Sequence, residues 1–561
     1  MSDKKNVWIV LFTGVCLIIL FGWLFFLNLH QYKDILCWDE ALYMWRGLGI
    51  PQKIPKGWAP FYGAWYLIEA IGQKIFTEIN LVKLYYLNFK VLAIANAILF
   101  FVFFTLKKVH PAAAFFIGAG YFISAINLET WPHISHFCVM ILLLGLIKSH
   151  FFKSWVLKWM IIITTVFLLS YARPEFYLSF LALSIVFVGW LIYKKFQIKK
   201  LDWVTLLGIG AFIFLVHFKM GGAMFSGNAS VPTGEYSRDI FAFGQHFAFN
   251  YFTWNDIDSD FWLAWEPYFR DNFEVHESIF STGMSNKEMF FKHLGSNIGG
   301  LFHNTLNAVT GIFMLDKILG LPFWLKISLA IITLALAFYF GLGFKRNFNH
   351  LITSEHGFII LVFFLFAAPT VIASVLIYPR DHYLMLQLPF YISIIAFTFF
   401  RADSFELRNT TVGILTMGAF LFIFIPNRSH VHYFDLWQNR KVSGNYLAIQ
   451  ELKSLDFSHC ATADQPCMLL ENEGGMSIYV ENKQLLSTIP AKNTEDLAIE
   501  DYLDSRHVNL VFVTESLKKD PILSEIEGWS TWLNPIGNTP WEKLAIEGSE
   551  DYFLVKKGTF E

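Results

Sequence analysis

Two adjacent carboxylates, Asp39 and Glu40, stand in "CWDEALYMWRG", about ten residues past the first long apolar run and among tryptophans and tyrosines. A carboxylate with another beside it, as Asp39 has in Glu40, holds a proton more readily than one alone and is equipped to take one from a hydroxyl. Glu129, His133 and His136 form a second group. The histidines are spaced i to i+3, on one helical face, and a carboxylate with two imidazoles suits a divalent ion; the alternative is Glu129 alone, as a second acidic residue beside a substrate. Arg173 in "YARPEF" and Arg380 in "YPRDHY" carry the planar fork that grips a phosphate through paired hydrogen bonds. Each has a structural alternative, an ion pair of Arg173 with Glu175 or of Arg380 with Asp381.

The elements that must position these groups are read from composition. Of 561 residues, 55% are hydrophobic and 16% charged, with 61 Phe and a mean hydropathy of +0.45. That excludes a soluble multidomain enzyme and describes an α-helical polytopic membrane protein. The first run, 7–29, follows Lys4 and Lys5, lacks a small-residue cleavage site and reads as a retained anchor. Further runs lie at 85–106, 112–127, 134–149, 156–172, 176–193, 203–218, 321–344, 357–377, 383–400 and 411–426, so eleven spans are expected.

Lys and Arg collect in the cytoplasmic loops of membrane proteins. Here the clusters at Lys4/Lys5, Lys107/Lys108, Lys148 to Lys158, Lys194 to Lys200, Lys345/Arg346 and Arg401/Arg408 fall on one side of an eleven-span topology. The basic clusters are thereby explained without nucleic acid. The expected domains are a transmembrane domain over 1–426, with outer loops 30–84 and 219–320, and an extracytoplasmic α/β domain over 427–561. The N-terminus is then cytoplasmic.

Ionisable groups avoid the middle of the spans and gather at their outer ends. A transporter would place some at the midplane, in broken helices. In the first outer loop, "GWAPFYGAWYLIEAIGQKIF" reads as a helix lying in the headgroup layer. The second carries "AFGQHFAFNYFTWNDIDSDFWLAWEPYF", whose aromatics and acids suit either sugar rings or an interfacial belt. From residue 428 onward 12 Lys and Arg face 21 Asp and Glu, a charge of −9 that leaves +7 for the membrane part. This tail alternates helix-like "GNYLAIQELKSL" and "TEDLAIEDYLDS" with strand-like "CMLLE", "VNLVFVT" and "YFLVKK", the pattern of a small α/β unit. It carries no phosphate loop, so its expected work is packing over the membrane part or meeting a partner. Cys460 and Cys467 either bridge or stay as two thiols.

"WDEALY" after the first span, "ETWPHISH", "YARPEF" and "YPRDHYLMLQLPFYI" together resemble the glycosyltransferase C superfamily, especially protein mannosyltransferases and lipid A aminoarabinose transferases, over roughly residues 1–426. The resemblance implies an enzyme of a bacterial inner (plasma) membrane that takes a sugar from a polyprenyl-phosphate donor. The sugar passes to a cell-envelope acceptor: a glycolipid, polysaccharide or protein. It implies Asp39 as the base, with Glu40 orienting the acceptor or binding a cation. Glu129, Arg173, Arg380, Tyr43 and His382 would bind substrate, and a divalent metal ion stays open as cofactor, with Glu129, His133 and His136 to hold it. Phosphate leaves without needing an acid, so one base suffices, and direct attack opposite it inverts the anomeric centre. The rival readings are a lipid-linked glycan polymerase or ligase, and a non-enzymatic lipid or glycan transporter.

Overall fold

The structure is a computed structural model that describes residues 2–314 apart from 28, 32, 49–58, 195–198, 224–235 and 259–260. It further describes residues 355–400, positions 411, 414, 415 and 417, and residues 444–560 apart from 461–465, 473, 492–496 and 535–538. The chain opens with α1 (Ser2–Phe25), α2 (Trp38–Leu48), α3 (Pro60–Phe76), α4 (Leu81–Leu106), α5 (Pro111–Ile123), α6 (Ala125–Leu128), α7 (Ile134–His150) and α8 (Trp155–Leu169). It continues through α9 (Phe176–Tyr193), α10 (Lys200–Lys219), α11 (Arg238–Asn255), α12 (Phe261–Asn272), α13 (Ile279–Ser285), α14 (Lys287–Met314), α15 (Glu355–Leu376) and α16 (Asp381–Phe399).

Among the described residues, six helices are long and apolar enough to cross a bilayer: α1 over Asn6–Phe25, α4, α9, α10 over Asp202–Lys219, α15 and α16. Helices α5, α7 and α8 are apolar but shorter; at 1.5 Å per residue they fall short of a roughly 30 Å hydrocarbon layer. Of the eleven expected spans, those six are long and apolar enough among the described residues. The run at 112–127 is not one helix, because the Ser124 hydroxyl donates to the Tyr121 carbonyl oxygen (2.7 Å) and the chain turns there into α6. The expected span at 321–344 lies outside the described residues, as does most of 411–426.

The two ends of the bundle differ in kind. At one, Lys107 and Lys158 both place Nζ on Glu355 Oε1, at 2.9 and 2.8 Å. Helix α4 leads from there to the other end, where Asn80 caps it by accepting from the Lys83 N–H (2.9 Å). That second end carries α2, α3, the helices α11 to α13 and a sheet domain.

Helices α2 and α3 pack as a close pair because both carry glycine at the crossing: a Cβ on Gly47 would collide with the Gly63 carbonyl oxygen. Helix α3 buries Tyr62 and Tyr66 on one face and exposes Ile68, Ile71 and Ile75 on the other, the i, i+3, i+7 stripe of an amphipathic helix. Helices α11 to α14 enclose a separate aromatic core of Phe243, Phe247, Trp265, Phe269, Phe273 and Phe290.

The C-terminal unit contains the expected strands as β1 (Cys467–Leu470), β3 (Val508–Val513) and β5 (Tyr552–Lys556), with helices at Gly444–Ser454 and Ile499–Ser505. Two further strands, β2 (Leu485–Thr488) and β4 (Trp541–Ala545), complete a sheet in the order β2-β1-β3-β5-β4. Strand β1 is parallel to β2 and β3, while β5 is antiparallel to β3 and β4. Cys460 and Cys467 are paired as a disulfide, with Cα atoms 5.5 Å apart. The unit sits on the membrane part: Trp38 N–H donates to the Gly474 carbonyl (3.1 Å), Asn445 Nδ2 to the Ile35 carbonyl (2.9 Å) and Leu81 N–H to Glu481 Oε1 (3.2 Å). The start of α2 is thus held from above.

Candidate active site

Asp39 and Glu40 occupy the first turn of α2, where the helix dipole favours negative charge, and Arg46 sits in the last. Successive helical residues point about 100° apart. The consequence is that two adjacent acids have opposite surroundings.

Glu40 is wholly buried. Its Oε2 accepts from the hydroxyls of Tyr66 (2.5 Å) and Tyr62 (3.0 Å), and its Oε1 from the backbone N–H of His133 (2.5 Å). Behind the tyrosines, Asn88 Nδ2 donates to both hydroxyls at 2.7 Å, and Trp65 Nε1 donates to Asn88 Oδ1 at 3.0 Å. Every proton in this chain runs toward Glu40. Burial nevertheless pushes its carboxyl up to about 7, against the pull of Tyr66, His133 and Tyr62. Glu40 therefore ties α2 to α3 and to the turn before α7, with its oxygens turned into protein.

Asp39 is half-buried and lies in the field of three guanidiniums, Arg238, Arg380 and Arg173. Burial raises its carboxyl above the usual aspartate value while the three cations work against the rise. The rise comes from burial and not, as expected, from the neighbouring Glu40. Tyr43, one turn on, is buried and packs its ring edge-on against Tyr62 at 5.4 Å. It lies in the field of Asp39 and Arg238.

Arg173 is committed to protein. Its Nε donates to Glu175 Oε1 (2.6 Å), its Nη1 to Ser135 Oγ (3.0 Å), and its guanidinium lies 5.1 Å from the Tyr383 ring centroid. The ion-pair alternative for Arg173 is the one observed. Helix α9 starts at Phe176, two residues past Pro174. Arg380, before the first turn of α16, is not shown pairing with Asp381; its Nε donates to His246 Nε2 at 2.6 Å, and Trp262 lies 4.9 Å beneath it. His382 is buried beside it and bonds the Trp131 backbone.

The metal group does not assemble. Among the described residues, no three of His, Cys, Asp and Glu converge in a way that could hold an ion. His136 Nε2 is taken by the Asn127 carbonyl oxygen (2.7 Å). His133 is fully buried, its ring 5.0 Å from that of Phe89 and 5.4 Å from that of Tyr85. The 129–136 segment turns before α7 starts at Ile134, so Glu129 and the two histidines do not share a helical face.

Three members of the site were not legible in the sequence: Arg238, His246 and Trp262, all on α11 and α12. The only local signals were the Ser237 cap before Arg238 and the aromatic density of the segment, which also suits an interfacial belt. The arrangement as a whole is a half-open carboxylate beside cations, at the end of an apolar bundle. Comparison with protein-family models, with curated proteins and with solved structures finds no match.

Proposed function

We propose that this chain is an integral membrane glycosyltransferase. It moves a sugar from a polyprenyl-phosphate donor to a cell-envelope acceptor, with inversion. The observation that carries this reading is half-open Asp39 lying in the field of Arg238, Arg380 and Arg173 where the bundle meets the sheet domain. Asp39 takes the acceptor's proton as its oxygen attacks the anomeric carbon. The bond to the phosphate oxygen breaks on the opposite face, and the charge left on the lipid phosphate is offset by the guanidiniums of Arg380 and Arg238. Glu40 orients the site from behind by fixing α2. In this reading α3 lies in the headgroup layer on its isoleucine stripe, beside the donor's point of entry.

The positive-inside bias supports an external site, since the Lys107, Lys158 and Glu355 end carries the basic loops. Single cysteines introduced at Lys108 and at Asp271 are expected to react with a membrane-impermeant thiol reagent from opposite sides, Asp271 from outside. Reaction of the Asp271 position only after permeabilisation would put the site in the cytoplasm and end this proposal.

The function itself is tested by mass spectrometry of envelope glycolipids, polysaccharides and proteins with and without the gene. One sugar is expected to disappear from one acceptor class, and to return with purified protein plus donor. An unchanged envelope, with lipid carrier accumulating on one leaflet, would favour a transporter instead.

A further inference from the structure

Two arginines of the site are held in electrically different ways. Arg173 donates its Nε to a carboxylate, Glu175, so its charge is offset within the protein. Arg380 donates its Nε to an imidazole, His246, across 134 residues of sequence. The tautomer of that ring follows from its other nitrogen: Nδ1 lies 2.6 Å from the Ala242 carbonyl oxygen, which only accepts, so Nδ1 carries the hydrogen and Nε2 the lone pair. A neutral acceptor fixes a guanidinium without cancelling its charge.

The ring is fixed as well. His246 is almost fully buried in α11, stacked on Tyr378 at 5.6 Å and met edge-on by Trp262 at 5.3 Å. Burial, with Arg380 beside it, holds the imidazole well below its ordinary value, so it stays uncharged at neutral pH. Trp262 supports the guanidinium from below. Because Nε is used on His246, the four Nη hydrogens form the edge left for an anion. Among the described residues, no hydrogen bond is shown from Arg380 Nη.

We propose that His246 is a positioning residue for Arg380: its neutral Nε2 aims the guanidinium at the donor's phosphate without itself cancelling the positive charge. Arg380 is then the phosphate ligand, and Arg173 the scaffold. This rests on the glycosyl-transfer reading above.

The test is binding of a short-chain polyprenyl monophosphate to the full chain in detergent, with thermal melting as the folding control. Arg380→Gln is expected to weaken binding at least tenfold, and His246→Phe by about tenfold. The two losses are expected not to add, since Phe at position 246 acts only through Arg380. His246→Gln, which keeps a neutral acceptor, should bind within about threefold of the parent. His246→Glu keeps an acceptor but cancels the charge, and should bind about tenfold more weakly. Parent-like binding by the Glu variant would overturn the role of neutrality. Parent-like binding by the Phe variant, or additive losses, would overturn positioning. Should the Phe variant not fold, the Gln and Glu pair decides alone. If Arg380→Gln binds like the parent, the donor-phosphate reading itself fails, and the role of His246 with it.

Discussion

Asp39→Asn is expected to lower sugar transfer by about 10²- to 10⁴-fold, the range for removing a general base. The amide keeps the size and hydrogen-bonding capacity of the side chain but cannot accept the acceptor's proton. Lipid phosphate binding should hold or tighten, because the substitution removes a negative charge facing Arg238, Arg380 and Arg173. Chemistry and binding therefore move apart, which distinguishes loss of a base from loss of fold. The base works only when unprotonated, and burial places its carboxyl above the ordinary aspartate value of 3.8. The parent's rate should accordingly rise with pH through an apparent pKa above that value, and the residual rate of the variant should lack this limb. Transfer assays with purified protein across pH check both; an undiminished rate would remove Asp39 from the mechanism.

Glu40→Ala has the second largest expected effect, on the fold rather than on the chemistry. It strands the hydroxyls of Tyr62 and Tyr66 and the N–H of His133 in the interior, at a cost of roughly 2–5 kcal/mol. The thermal midpoint in detergent should drop by several degrees. Glu40→Gln should cost less, since its carbonyl oxygen still accepts from the tyrosines while its NH₂ opposes the His133 N–H. The parent should also lose stability as pH rises. Its folded carboxyl titrates at about 7 against an ordinary 4.5, so the contribution is complete below 4.5 and fades as pH climbs through 7. Glu40→Gln should flatten that slope. A Gln variant that melts like the parent yet loses transfer as far as Asp39→Asn would make Glu40 part of the chemistry.

How much of this was legible in sequence differs by element. The apolar helices, the amphipathic α3 and three of the five strands follow from runs and periods of side chains over a few turns of chain. The short strand β4 did not, because its exposed Glu542, Lys543 and Ala545 conceal its pairing with β5. The single apolar run broken at Ser124 concealed a turn, since hydropathy does not register a serine that satisfies a carbonyl locally. The metal group fails for a related reason: the rings of His133 and His136 do lie 5.7 Å apart, as their spacing implies, but Glu129 sits before the turn and His136 Nε2 is taken by the Asn127 carbonyl, neither of which spacing registers.

Sequence by itself determined that the chain is a polytopic, mostly helical membrane protein with an acidic sheet unit at its C-terminal end, because hydropathy, charge and periodicity are local properties. It also picked out Asp39, Arg173 and Arg380 as chemically capable. Only the tertiary structure decided which of two adjacent acids is open. That depends on donors 22, 26 and 93 residues away that converge on Glu40 and leave Asp39 to the arginines. Tertiary structure likewise tied Arg173 to a carboxylate and Arg380 to an imidazole, since what a buried charge faces is set by packing between distant segments.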